Sequence, residues 1–143
     1  MNQAAAITRA LEGSVANRPK QGEASLVKAA LTIADTASQE ALLVRLLERF
    51  PDVALEAEED TPTVHAFRSD GDARVVIDPL DGTFHSYLGG QGPYGIILAL
   101  VVADRVEASL VALPREGLFF EAVRGGGAIA HRGDGEPLPF GVT

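Results

Sequence analysis

The order of apolar patterns along the chain predicts an α+β fold, with two N-terminal helices packed on a largely antiparallel β-sheet. The first observation behind it is a helical stripe: Leu43, Leu46, Leu47 and Phe50 recur at three- and four-residue spacing before Pro51. The second is a set of three apolar runs, Tyr94–Ala103, Val106–Leu113 and Leu118–Val123, divided only by short turns, which read as hairpin-linked strands. The third is size. The 143 residues, 46% hydrophobic and 22% charged, suffice for one domain with a buried core, and they contain neither an internal repeat nor a low-complexity tract.

Gln3–Glu12 carries Ala, Ile and Leu at roughly helical spacing, and Gly13 would end this first helix. Asn17–Glu23 is polar and broken by Pro19 and Gly22, so it reads as a loop whose Arg18 and Lys20 are either solvated or steer an anion toward a site. Asp35 sits where the N-cap of the second helix belongs, which is also a rigid place from which to aim a carboxylate. Val53–Glu58 alternates apolar and polar, as a strand with one buried face does. It runs into Glu58, Glu59 and Asp60. Three consecutive acids form a solvated loop unless a bound cation makes their crowding favourable. Thr61–Asp72, with Pro62, Ser69 and Gly71, reads as a loop free to move until metal and substrate order it, with His65 on the surface.

Val75-Val76-Ile77 favours a buried strand, and because Pro79 cannot donate a ladder hydrogen bond the strand should end at about Asp78. Polar residues then follow at its tip. Asp78 and Asp81 can converge with an intervening backbone carbonyl on a hard cation, and Gly82 lets the backbone come close to an anion. A helix starting near Thr83 would offer its amides to a phosphate. The other reading of Asp-Pro-x-Asp-Gly is a turn that caps a helix. Phe84–Tyr87 should form that short helix and Gly89–Pro93 end it, with His85 either a surface group or one that bonds a substrate oxygen. Asp104-Arg105 and Pro114–Gly117 supply the turns between the three later strands.

A net charge of −8 and a pI near 4.8 argue against nucleic acid as a partner, because phosphate backbones are bound by clustered Lys and Arg. With no Cys, a metal must be held by oxygen or His. The sequence shows neither a basic stretch followed by an apolar run at its start nor about 18 consecutive apolar residues. No membrane partner is expected, and the cytoplasm is the expected location.

Taken in order, the Asp35 region, Ala57-Glu58-Glu59-Asp60, Asp78–Thr83, and Gly117–Ala122 followed by Arg124–Ala128 resemble the motifs of the inositol monophosphatase superfamily, which includes fructose-1,6-bisphosphatases and 3'(2'),5'-bisphosphate nucleotidases. The resemblance implies the N-terminal half of that family's layered α/β/α/β/α fold, as a single domain over residues 1–143. The family's second half, with its Trp-Asp-x-Ala-Ala-Gly motif, has no match here. It also implies a Mg²⁺-dependent phosphomonoesterase that hydrolyses a small phosphorylated metabolite, such as an inositol phosphate, with a metal-activated water and with two or more Mg²⁺ sites open to lithium inhibition. In such a site Glu58, Asp78 and the Leu80 carbonyl would ligate one Mg²⁺, and Asp78, Asp81 and a second-half aspartate another. Glu58 and Thr83 would orient and deprotonate the water with Asp35 in support, Asp81, Gly82 and Thr83 would hold the phosphate, and Glu59 would stand behind the ligands. The chain departs from the family at His85-Ser86-Tyr87, where an Asn-Phe or Glu-Phe pair is usual, so substrate choice is not carried over. A second class stays open: a non-catalytic or incomplete half-domain that binds divalent cations and self-associates. A homodimer or higher oligomer is expected in either case, since the later strands can present apolar residues on both sides and two helices cover one.

Overall fold

The computed structural model describes residues 1–18, 20–22, 31–133 and 135–139. Pro19 and Glu23 of the polar tract, and residues 140–143, to which the family resemblance extends, lie outside the described residues. Helices α1 (Asn2–Leu11) and α2 (Ile33–Arg49) precede seven strands: β1 (Ala54–Ala57), β2 (Ala73–Asp81), β3 (Gly95–Val102), β4 (Arg105–Leu113), β5 (Leu118–Val123), β6 (Gly127–Arg132) and β7 (Pro137–Leu138). They form one sheet in chain order, with β1 parallel to β2 and every other pair antiparallel. The expected α+β architecture is therefore present.

Both helices cover one face of the sheet. Ala4 and Ala5 of α1 and Leu42 and Leu43 of α2 bury against Val75, Ile77, Ile96, Ala112 and Phe119. Strand alternation sends Val76 and Asp78 of β2, and their cross-strand partners Ala99 and Ile97, to the opposite face. Val53 and Leu55 pack on the helix side, so the same alternation carried along β1 directs Glu58 to the far face beside Asp78 and returns Glu59 to the helix side. No helix among the described residues is long and apolar enough to cross a membrane.

Four boundaries differ from the sequence reading. The cap of α2 is Thr32, whose side chain accepts from the Ala34 amide, and Asp35 stands one turn in as the reciprocal partner of a capping box. β2 does not end at Asp78 but runs to Asp81, because a bulge between Asp78 and Asp81 accommodates Pro79 without a ladder donor. The β3–β4 turn is Ala103-Asp104, both left-handed at φ 46° and 60°, and Arg105 already pairs with Val102. Finally, the sheet continues past Val123, since β6 pairs with β5 along its length.

Candidate active site

The tip of β2 is held from both sides. Ser38 Oγ of α2 donates to the Pro79 carbonyl at 3.1 Å, and Asp78 Oδ1 accepts from the Leu80 amide at 3.0 Å. Leu80 is buried and Asp81 exposed. Gly82 then takes φ +87°, where a Cβ would stand 3.2 Å from Ser86 Oγ, so glycine is required to turn the chain here. Its carbonyl accepts from the Ser86 and Tyr87 amides at 2.9 and 3.1 Å and opens the single π-helical turn Thr83–Leu88. That turn is anchored to the body of the protein by buried Tyr87, whose hydroxyl donates to the Thr8 carbonyl at 2.7 Å. Arg115 ties the following loop down by donating to the Gly92 carbonyl, to the Ser86 carbonyl at 3.0 Å and to Glu12 Oε1 at 2.6 Å.

The start of α2 meets this turn. Asp35, 2% exposed, accepts from the Thr32 amide at 2.7 Å and the Thr32 hydroxyl at 2.6 Å through one oxygen. Its other oxygen lies 2.9 Å from the Thr83 hydroxyl, which is also 2.7 Å from the Leu80 carbonyl. One hydroxyl proton serves these two acceptors in turn, which leaves the Thr83 oxygen free to accept from a third group. Burial pushes the Asp35 carboxyl up, and the bonds from Thr32 and Thr83 oppose that rise.

At the neighbouring strand tip, Glu58 and Asp78 are crowded. Burial, then the Glu58 carboxyl beside it, raises the Asp78 carboxyl to about 7, and Asp81 adds to the repulsion. Glu59, 6% exposed, is likewise pushed up by burial, against the pull of Lys20. Lys20 Nζ lies 3.1 Å from Glu58 Oε1 and 2.6 Å from Glu59 Oε1. Both contacts pair the ammonium with a carboxylate oxygen, and the Glu59 oxygen is the buried one. The Glu59 backbone is clamped by Gln39, which accepts from its amide at 3.1 Å and donates to its carbonyl at 2.6 Å.

The seven residues expected at a site thus fall into two joined groups. Glu58 and Asp78 stand together at adjacent strand tips, with Asp81 within electrostatic reach, while Asp35, Leu80 and Thr83 share hydrogen bonds and Gly82 links the two. Asp60, by contrast, turns outward to exposed His65 at 3.1 Å. In the Thr61–Asp72 segment, Glu40 accepts from the Thr63 amide at 3.1 Å and the Thr63 hydroxyl at 2.6 Å, within the 3₁₀ turn Pro62–Ala66. His85 is exposed, packs edge-on against Phe84 at 5.0 Å, and borders an open recess of about 390 Å³ shared with Asn17 and Gln91. Sequence reasoning missed Gln39 and Ser38, whose only signal is their place within a turn of Asp35 on α2. It also left Lys20 between two readings, neither of which was an ion pair with the acids.

No group of three or more acids or histidines among the described residues is disposed to hold a metal ion. The donors are nevertheless of the right kind for a hard cation that keeps several waters: carboxylates and a carbonyl, with two acids crowded enough to raise the proton affinity of one. An ammonium already stands against this acidic cluster.

The sequence profile of the inositol monophosphatase family matches residues 1–140. A histidinol-phosphatase from Chlorobaculum parvum is 33% identical over 98 residues, which are 68% of this chain and 36% of that protein. The Nus factor SuhB of Pasteurella multocida is 35% identical over the same length, 68% of this chain and 35% of its own. Among solved structures, an IMPase of Thermotoga maritima superposes with a TM-score of 0.77 at 27% identity, covering 95% of this chain and 48% of its own. An IMPase/NADP phosphatase in complex with Mg²⁺ and phosphate gives 0.71 at 25% identity, covering 90% of this chain and 46% of its own. The chain therefore spans about a third of the length of its curated relatives and about half that of the solved structures. It belongs to the inositol monophosphatase family.

Proposed function

We propose that residues 1–143 form the metal- and phosphate-binding half of a Mg²⁺-dependent phosphomonoesterase acting on a small phosphorylated metabolite of the inositol phosphate type. The observation that carries this reading is the pairing of Glu58 with Asp78 at two adjacent strand tips, next to the Asp35–Thr83–Leu80 hydrogen bonds. Family membership and a relative complexed with Mg²⁺ and phosphate support it. Glu58, Asp78, the Leu80 carbonyl and Asp81 would hold the metal, which when bound supplies a Lewis acid and lowers the pKa of a coordinated water.

The remaining roles belong to the chain's own groups. Asp35 accepts the Thr83 proton and fixes that hydroxyl, so that the Thr83 oxygen can accept from the attacking water and point its lone pair at phosphorus. Glu58, the more exposed acid, takes the proton. The backbone at Gly82 and Thr83 would receive the phosphate, and Asp81 at the strand end would reach it only through the bound cation. Crowded carboxylates repel a phosphate dianion, which is why the reading requires the cation.

Release of inorganic phosphate from inositol 1-phosphate, with and without Mg²⁺, tests the assignment in this chain and in a version carrying the remainder of the family fold. Mg²⁺-dependent turnover lost in Asp81→Asn supports it. Cation binding without turnover in both versions would instead identify a binding half-domain, and turnover that survives both Mg²⁺ removal and Asp81→Asn would discard the site.

A further inference from the structure

We propose that Lys20 is a displaceable internal cation, holding Glu58 and Glu59 together in the metal-free chain and letting go of Glu58 when a divalent ion arrives. The inference rests on the metal reading above. Its basis is the position of Nζ, 3.1 Å from Glu58 Oε1 and 2.6 Å from Glu59 Oε1, just past the end of β1. The two contacts are unequal. The Glu59 side chain is 6% exposed and its backbone is clamped by Gln39, whereas the Glu58 side chain is 45% exposed and at a strand tip. The Glu59 contact is therefore the anchor and the Glu58 contact the labile arm.

A cation at the Glu58–Asp78 pair would compete with Lys20 for the Glu58 carboxylate. An ammonium and a divalent ion cannot both sit at bonding distance from it without repelling each other. Lys20 thus lowers metal affinity while relieving repulsion among acids that have no metal. This differs from an anion-steering role, in which the amine would face solvent, and from a purely structural ion pair, whose removal would leave metal affinity unchanged or reduced.

Calorimetric titration of MgCl2 into the wild-type chain, Lys20→Met and Lys20→Arg, at one pH and low salt, tests the inference. Lys20→Met should bind Mg²⁺ about fivefold more tightly, about 1 kcal/mol, and should unfold at a lower temperature without metal. Lys20→Arg keeps the charge and should bind like the wild type. Equal or weaker binding by Lys20→Met, with the wild type still binding, overturns the inference and leaves the metal reading intact. No binding by any of the three overturns both. Should Lys20→Met fail to fold, the wild type decides the matter through acylation of its two lysines, Lys20 and Lys28, read by mass spectrometry. Mg²⁺ should raise labelling of Lys20 relative to Lys28, and a ratio that Mg²⁺ does not change overturns the inference.

Discussion

Asp78→Asn in the metal-free chain isolates the energetics of the crowded acids. Burial, with Glu58 next, raises the Asp78 carboxyl from an ordinary 3.8 to about 7. The folded chain therefore binds this proton more tightly than the unfolded one, so the group's stabilising contribution is complete below about pH 4 and is lost as pH rises through about 7. The separation corresponds to at most about 4 kcal/mol. Asp78 is partly open to solvent, and screening reduces the effect to about 1–2 kcal/mol. Asparagine keeps the shape and the oxygen that accepts from the Leu80 amide, but it carries no charge. At pH 8 without metal the variant should thus be more stable by about 1–2 kcal/mol, or about 3–6 °C in Tm for a chain of this size. At pH 4 the gain should vanish. Thermal unfolding in chelator from pH 4 to 8 measures both, and repeating it in Mg²⁺ should reverse the ranking, because only the wild type is stabilised by mass action. A variant less stable than wild type at pH 8 without metal would make the Asp78 carboxylate a charged cap of the Leu80 turn. A gain that persists at pH 4 would refute titration as its cause.

Three further outcomes follow from the same structure. Gln39→Leu leaves the buried Glu59 amide and carbonyl without partners and should lower stability by about 2–4 kcal/mol in urea unfolding; a loss under about 0.5 kcal/mol would mean that water replaces the clamp. Gly82→Ala meets both φ +87° and Ser86 Oγ at 3.2 Å, and should lower stability by about 1–2 kcal/mol while weakening phosphate retention measured by equilibrium dialysis with Mg²⁺. An unchanged phosphate affinity would separate the turn from the anion. The sheet leaves Val106, Val123 and Ile129 exposed, so light scattering should find particles of at least twice the 15.0 kDa chain mass, and a stable monomer would contradict the expected self-association.

What the sequence determined by itself was local. The helical stripe of α2, the alternation of β1 and the apolar runs of β3 to β5 are periodicities confined to a few residues, and each yielded an element of the expected type, whereas the strand end expected at Asp78-Pro79 became a bulge within β2. Motif order added the family and the identity of the acids. The continuation of the sheet into β6 was missed because Gly125–Gly127 at its start weaken any strand pattern, and pairing with β5 compensates for that. The exact partners at the site belonged to the tertiary structure. Gln39 reaches Glu59 across 20 residues, Lys20 reaches Glu58 across 38 and Thr83 reaches Asp35 across 48. No periodicity spans such separations; the tertiary packing of the chain sets them. Whether an acid ends in solvent, as Asp60 does, or against an ammonium, as Glu59 does, depends on which face of β1 it leaves from and on what the helix layer places opposite it.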